Sequence, residues 1–304
     1  MSDRHHHHSI DVSQGDRRVG WAIAVNLILT LAQLIGGLLA GSLALIADAL
    51  HNFSDVIALV FALAARRIAR RHADAKMTFG YARVELVAAL VNYTTLIILG
   101  LYLAYEAVLR ILAPEPVNGG VVVWLALGAL AVNSATALLT FAMARQSVNM
   151  RAAFLHNLAD ALASIAVLLA GLFIVLFGWA LADPLITVGI SAYILWQSAR
   201  EIGPVIRILI LGSPPEIDTE HVLSVMLGTK GVAGVHHAHF WQIDEHQAAI
   251  EAHVVIENGA WTDADAIKKT VKNRLQKDFA IGHATLELEC AQHACADQTV
   301  FAGH

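Results

Sequence analysis

Six stretches of the chain stay apolar for about 20 residues or more, the length a helix needs to cross a roughly 30 Å hydrocarbon core. They run about Trp21 to Leu39, Ala44 to Ala65, Val84 to Leu112, Val121 to Ala144, Ala152 to Phe177 and Leu181 to Ser198. The pattern changes at Gly203-Pro204 and again at Gly212-Ser213-Pro214-Pro215, beyond which the apolar positions become periodic rather than continuous. There the spacing predicts a helix over Thr219 to Leu227, strands over Gly234 to Ile243 and Ala248 to Glu257, a helix over Thr262 to Phe279 and a strand over Ala284 to Cys290. The expected fold is therefore an α-helical membrane protein with six transmembrane helices plus a C-terminal cytoplasmic α+β domain of ferredoxin-like αββαβ order. The expected divisions are a cytoplasmic tail over 1–18, the helical domain over 19–203, the α+β domain over 204–290 and an unanchored tail over 291–304.

Composition agrees with a membrane protein. Hydrophobic residues make up 57% of the chain and charged residues 15%, far too apolar for a soluble globular domain. A formal net charge of -5, with no basic stripe outside the loops, argues against a nucleic-acid partner. Arg17, Arg18, Arg66, Arg67, Arg70, Arg71, Lys76, Arg83, Arg145, Arg151, Arg200 and Arg207 flank one set of span ends, and Arg110 alone flanks the other. By the positive-inside rule both termini are expected in the cytoplasm. Cys290 and Cys295 are the two cysteines, so no disulfide framework is expected, and no removable signal peptide is evident. His5 to His8 fit a purification-tag remnant or a natural metal-collecting tail, and the residues leave both open.

Two apolar spans contain the same polar signature, His51-Asn52-Phe53-Ser54-Asp55 and His156-Asn157-Leu158-Ala159-Asp160. Residues four apart leave a helix on one face about one turn apart, so each span offers an imidazole and a carboxylate to a common point. Ionisable groups at bilayer depth cost several kcal/mol unless paired or used. One copy alone is compatible with a polar cluster that pins helices together, but the same spacing in two spans favours a shared ion site. His51, Asp55, His156 and Asp160 form a zinc-type set of two nitrogens and two oxygens, neutral once a dication is bound. No position is left for water, which points to carrying the ion rather than to catalysis on it. Co²⁺ fits the same tetrahedron, while Cd²⁺ is larger and softer and suits it less. Asn52 and Asn157 are candidates for orienting ligands or, more simply, for packing between helices, and Asp48, three residues before His51, is a candidate proton acceptor or entry ligand.

In the second strand of the α+β domain Ile250, Ala252, Val254 and Ile256 face inward, which turns Glu251, His253 and Glu257 to the open face. Leu286 and Leu288 do the same in the third strand and turn out His283, Glu287 and Glu289. Such a face is either a solvated surface or a metal-binding, subunit-pairing one. Cys290-x-x-His293-x-Cys295 holds ligand types at close but irregular spacing, a weak signal for another metal site. The loop Arg66 to Arg83, with His72, Asp74 and Tyr81, is basic enough to repel cations and reads as a charged surface.

Ser42-Leu43-Ala44-Leu45-Ile46-Ala47-Asp48-Ala49-Leu50 leading into the first motif, Thr78-Phe79-Gly80-Tyr81-Ala82-Arg83-Val84-Glu85, Arg151-Ala152-Ala153-Phe154-Leu155 leading into the second, and Val235-His236-His237-Ala238-His239-Phe240-Trp241 together resemble the cation diffusion facilitator family. The resemblance runs from about Arg18 to Cys290. It implies a homodimer of six-helix protomers in the cell (inner) membrane, exporting Zn²⁺, with Co²⁺ or Cd²⁺ as further candidates, from the cytoplasm in exchange for protons. It also implies a cytoplasmic domain that binds Zn²⁺ and pairs the subunits, with His236, His253 and His283 at metal positions and Glu287 and Glu289 at further ligand positions of some members. Two departures stand out. Met77 and Tyr81 occupy positions where some members carry the loop histidines of another zinc site, which leaves Asp74 as a lone ligand, so no such site is expected; Leu211 precedes Gly212 where many relatives carry an acidic partner for the basic residue at Arg83.

Two other classes compete. An intramembrane zinc protease needs an open metal position and a motif such as His-Glu-x-x-His, which the chain lacks. A membrane metal sensor could use the same cage without turnover.

Overall fold

The computed structural model describes residues 12–144 and 148–301. The run His5 to His8 and Arg145 lie outside the described residues. Six long helices come first: α1 (Val12–Ala40), α2 (Leu43–Ala69), α3 (Arg83–Leu112), α4 (Gly119–Ala144), α5 (Val148–Phe177) and α6 (Ala182–Leu209). They are followed by α7 (Thr219–Leu227), β1 (Val232–Gln242), β2 (Ala248–Ile256), a 3₁₀ turn at Trp261–Asp263, α8 (Ala264–Phe279) and β3 (His283–Cys290).

Of the six expected spans, four described helices are long and apolar enough to cross a membrane: Leu43–Ala69, Arg83–Leu112, Gly119–Phe141 and Phe154–Phe177. The apolar part of α1 described here, Val25–Ala40, is shorter. α6 falls below the same measure for a structural reason. Asp183, Thr187 and Ser191, spaced four apart, make a polar stripe that is fully buried against protein. The helix also passes through Pro204 to Leu209 rather than ending at Gly203, so the change of composition there is not an element boundary.

The chain divides into two compact units, one with Val91–Arg200 and the described residues up to Phe61, the other with Ala62–Leu90 and the residues from Glu201 onward. In the first unit a single core draws residues from all six long helices, including Ala40, Leu45, Leu103, Val122, Val167 and Ile194. Small residues let these helices approach closely. A Cβ on Gly119 would stand 2.9 Å from the carbonyl oxygen of Gly171, so α4 and α5 cross backbone to backbone at that point.

In the second unit β1 and β2 pair antiparallel and β2 and β3 parallel, the latter joined through α8 as a parallel pair requires. Ile250, Ala252, Val254 and Ile256 are buried under α7 and α8 beside Val222, Met226, Val271 and Leu275. The strand parity read from the sequence holds for β2. In β1 the register slips between His236 and His239, and His237 takes φ +51°. This bulge inserts one residue, so Val235, Ala238 and Phe240 all reach the core while His236 and His239 lie on the other face. The segment after Ala291 is tied down, contrary to the unanchored tail expected: the backbone N–H of His237 donates to the Thr299 carbonyl at 3.0 Å and that of Ala238 to Val300 at 2.8 Å. The bulge breaks the ladder on β1 and leaves donors for the tail to accept.

Candidate metal centres

The first centre starts from a fixed helix end. Ser42 caps α2 by accepting from the Leu45 N–H at 3.1 Å, and its hydroxyl donates to Asp183 of α6 at 2.5 Å. Asp183 also accepts from the Leu43 N–H at 2.7 Å, so a buried carboxylate from another helix sits at the α2 N-terminus, where its charge meets the unpaired amides. His51 and Asp55 follow on α2. On α5, Ser164 donates to the Asp160 carbonyl at 3.0 Å and accepts from Asn133 of α4 at 3.1 Å, which ties the Asp160 turn to its neighbour.

The two helices bring the motif residues together. His51 Nε2 lies 3.8 Å from Asp55 and 3.5 Å from Asp160; His156 Nε2 lies 3.5 Å from each of the same carboxylates. His51, Asp55 and Asp160 present ligand atoms all within 4.8 Å of one another, and His156 completes the ring through its contacts to both aspartates. Exposure is uneven. The side chains of His51 and Asp160 are 6% and 9% exposed, those of Asp55 and His156 30% and 38%, so the cluster has a closed side and an open one. Two imidazoles and two carboxylates facing one point, with no lysine or arginine of the described residues within ion-pair distance, are chemically suited to a divalent cation.

The flanking candidates separate. Asp48 is buried and accepts from Gln33 of α1 at 2.6 Å, in a pair that the helix pattern alone does not reveal. Asn157 donates to Thr140 of α4 at 3.3 Å, a packing contact, and Asn52 is buried on α2. Tyr193 of α6, which nothing in the sequence singled out, meets the His51 ring edge-on with centroids 6.4 Å apart. A polar residue inside an apolar span was the available signal for Gln33; Asp183 stood at the start of one.

The second centre lies on the sheet face opposite α7 and α8. His236 pairs directly with His253 across β1 and β2, and their ring centroids are 5.2 Å apart. Glu289 of β3 reaches both, at 2.7 Å from His253 Nδ1 and 3.4 Å from His236 Nε2. Cys295 comes from the tail: its Sγ donates to Glu289 at 3.1 Å and its N–H donates to the other carboxylate oxygen at 3.1 Å. Burial pushes Glu289 up, but these bonds and the one from His253 outweigh it and hold its carboxyl below the usual range, while the same carboxylate pushes the Cys295 thiol up.

Not every predicted residue joins this group. Glu287 touches His253 from outside, 3.4 Å from Nε2. His283 lies at the other end of β3, paired with Ala249 and edge-on to Phe79 and Trp241. In the loop before α3, Tyr81 donates to Asp74 at 2.7 Å and the amides of Lys76 and Met77 at 2.8 and 2.9 Å, which holds its carboxyl below the usual range. Arg83 donates to the carbonyls of Gln242 and Ile243, at and just beyond the end of β1.

Comparison with known proteins adds independent findings. Residues 21–210 match the family model described as the cation efflux transmembrane domain, and residues 214–290 match that of the cation efflux protein cytoplasmic domain. The chain is 35% identical over 287 residues to the zinc transporter ZitB of Pectobacterium atrosepticum, covering 93% of this chain and 88% of that one. It is 34% identical to a cadmium, cobalt and zinc/H⁺-K⁺ antiporter of Bacillus velezensis, covering 86% and 84%. A solved structure of the metal-bound C-terminal domain of the CzcD transporter from Cupriavidus metallidurans is 29% identical over 24% of this chain and 99% of that one, at a TM-score of 0.23.

Proposed function

The chain belongs to the cation diffusion facilitator family, an integral membrane protein of metal cation efflux, and on that premise we propose that it exports Zn²⁺ from the cytoplasm by proton antiport through His51, Asp55, His156 and Asp160. The observation that carries this reading is the mutual reach of the four side chains, each imidazole within 3.8 Å of both carboxylates. Two anions neutralise one dication, and a set that water cannot complete holds the ion without activating a nucleophile. Imidazole must be neutral to bind metal, so protons compete with Zn²⁺ for His51 and His156, which supplies the coupling.

In this reading all six long helices cross the inner membrane, both termini are cytoplasmic, and the C-terminal domain is ferredoxin-like and pairs two protomers. The cytoplasmic domain binds Zn²⁺ through His236, His253 and Glu289, with Glu287 supporting His253. Asp48, held by Gln33 and one turn from His51 on α2, serves as a proton acceptor beside the cage. The relatives' names, a zinc transporter and a cadmium, cobalt and zinc antiporter, support Zn²⁺ first and Co²⁺ or Cd²⁺ as further substrates.

The test is metal flux into sealed vesicles containing this protein alone, with Zn²⁺, Cd²⁺, Co²⁺ and Mn²⁺ side by side under an imposed pH gradient. Zinc accumulation that collapses with the gradient is expected. Saturable binding without flux would instead mark a sensor.

A further inference from the structure

Resting on the assignment of His236, His253 and Glu289 as ligands of the cytoplasmic domain, we infer that Cys295 is their fourth partner. The C-terminal segment is then a strap that closes the site around a thiophilic divalent cation. Four separate pieces of chain converge here. His236 comes from β1, His253 from β2, Glu289 from β3 and Cys295 from the tail, and one donor atom from each lies within 4.8 Å of all the others.

The spacing suits a metal. A tetrahedral Zn²⁺ with nitrogen and oxygen at about 2.0–2.1 Å and one sulfur at about 2.3 Å separates its donors by about 3.3–3.6 Å, within a few tenths of an ångström of most separations seen here. Here Cys295 Sγ is 3.8 Å from His253 Nδ1 and 3.1 Å from Glu289, and His236 Nε2 is 3.4 Å from Glu289. The 2.7 Å contact between His253 and Glu289 is a hydrogen bond that opens by about half an ångström when a cation takes the proton's place.

Two further observations point to a ligand rather than to a polar cluster. His236 is 2% exposed, yet among the described residues neither ring nitrogen has a hydrogen-bond partner, and Nε2 points at the cluster. A buried imidazole left so is costly unless something else satisfies it. His253 turns Nδ1 to the cluster and Nε2 to the exposed Glu287 at 3.4 Å, the outer carboxylate that orients a metal-bound imidazole.

The strap is held at both ends of this segment. The turn from Cys290 to His293 starts it, and the bonds from His237 and Ala238 to Thr299 and Val300 fasten it on the β1 bulge. A thiolate changes what the site accepts: two nitrogens, one oxygen and one sulfur favour Zn²⁺, Cd²⁺ and Co²⁺ over Mn²⁺ or Mg²⁺. The helical centre has no sulfur, so sulfur ligation distinguishes the two.

The test uses the full chain with Asp55→Ala and Asp160→Ala, titrated with Co²⁺ and read by its absorption. A thiolate-to-cobalt charge-transfer band in the near ultraviolet is expected, kept in Cys290→Ser and lost in Cys295→Ser, with Glu287→Gln weakening cobalt affinity about 10- to 100-fold. Cobalt bound without the band, or with a band that survives Cys295→Ser, overturns the strap and leaves the His and Glu ligands standing. No cobalt bound overturns both. Vesicle flux is decided separately and does not enter either result. In the unsubstituted chain, Zn²⁺ should slow alkylation of Cys295 and not of Cys290, and His236→Ala should abolish that protection; alkylation indifferent to Zn²⁺ overturns the strap.

Discussion

In the helical unit each half of the candidate metal site comes from one helical turn, His51 with Asp55 on α2 and His156 with Asp160 on α5. In the C-terminal unit no two of His236, His253, Glu289 and Cys295 share an element. The helical cage therefore needs one packing event, α2 facing α5. The sheet cluster needs correct antiparallel pairing, correct parallel pairing, a bulge and a returning tail. The first is lined by nitrogen and oxygen alone, which suits the gripping and release of an ion at bilayer depth that the proposed transport requires. The second can be opened by lifting one strand of coil, which suits a response to metal level in the surrounding water.

The sharpest way to break this contrast is to disable the helical cage alone. Asp55→Ala or Asp160→Ala should reduce zinc flux in vesicles to background, because each removes a charge and a ligand from a site held away from water. Zinc should still bind the C-terminal domain of the same variants, measured by calorimetry on the full chain. Near-normal flux in either variant would refute the four-ligand cage.

A smaller change should alter the cage rather than destroy it. His51→Asp makes one nitrogen and three oxygens and adds a negative charge, a harder set that should admit Cd²⁺ or Mn²⁺ alongside Zn²⁺. The acid limit of transport should move to lower pH, since a carboxylate replaces an imidazole as the competing proton site. Flux against pH for Zn²⁺, Cd²⁺ and Mn²⁺ measures both, and an active variant unchanged in both would show that His51 is not a ligand.

Supports should matter less than ligands. Ser42→Ala removes the α2 cap and the hydroxyl bond to Asp183, and should cost about 0.5–2 kcal/mol of stability in detergent while Zn²⁺ still binds the cage. A loss of zinc binding with unchanged thermal stability would make Ser42 part of the site instead.

The smallest effect is expected in the loop before α3, whose acidic residue closes a turn. Tyr81 and two amides hold the Asp74 carboxyl below its ordinary value, so the turn is favoured above the ordinary carboxylate range and is lost as pH falls through the lowered value. Tyr81→Phe should raise that value, seen as protection of the Lys76 and Met77 amides from exchange lost at a higher pH than in the parent chain. Amide protection that does not depend on pH in the acid range would remove Asp74 from the turn.

How much of this could be read beforehand follows from how local each feature is. The His-x-x-x-Asp pairs were legible because 3.6 residues per turn forces residues four apart onto one face, whatever surrounds the helix. The apolar runs and the inward parity of Ile250, Ala252, Val254 and Ile256 were legible for the same reason: period and solvent preference act over a few residues. Cys295 was visible only as a weak irregular spacing, since the tail reaches Glu289 by folding back over the sheet.

From the residues alone came six apolar helices, two matched ligand pairs and a small domain with one polar sheet face, because these depend on short-range periodicity and on the transfer of side chains out of water. Tertiary structure alone decided that Asp183 of α6 caps α2, that Gln33 of α1 holds Asp48, and that the polar stripe of α6 is buried against protein. It alone also joined His236 to His253 through a bulge, left His283 aside and drew Cys295 in. Those choices were made by register and packing between residues far apart in the chain, and none is written in any window of neighbouring residues.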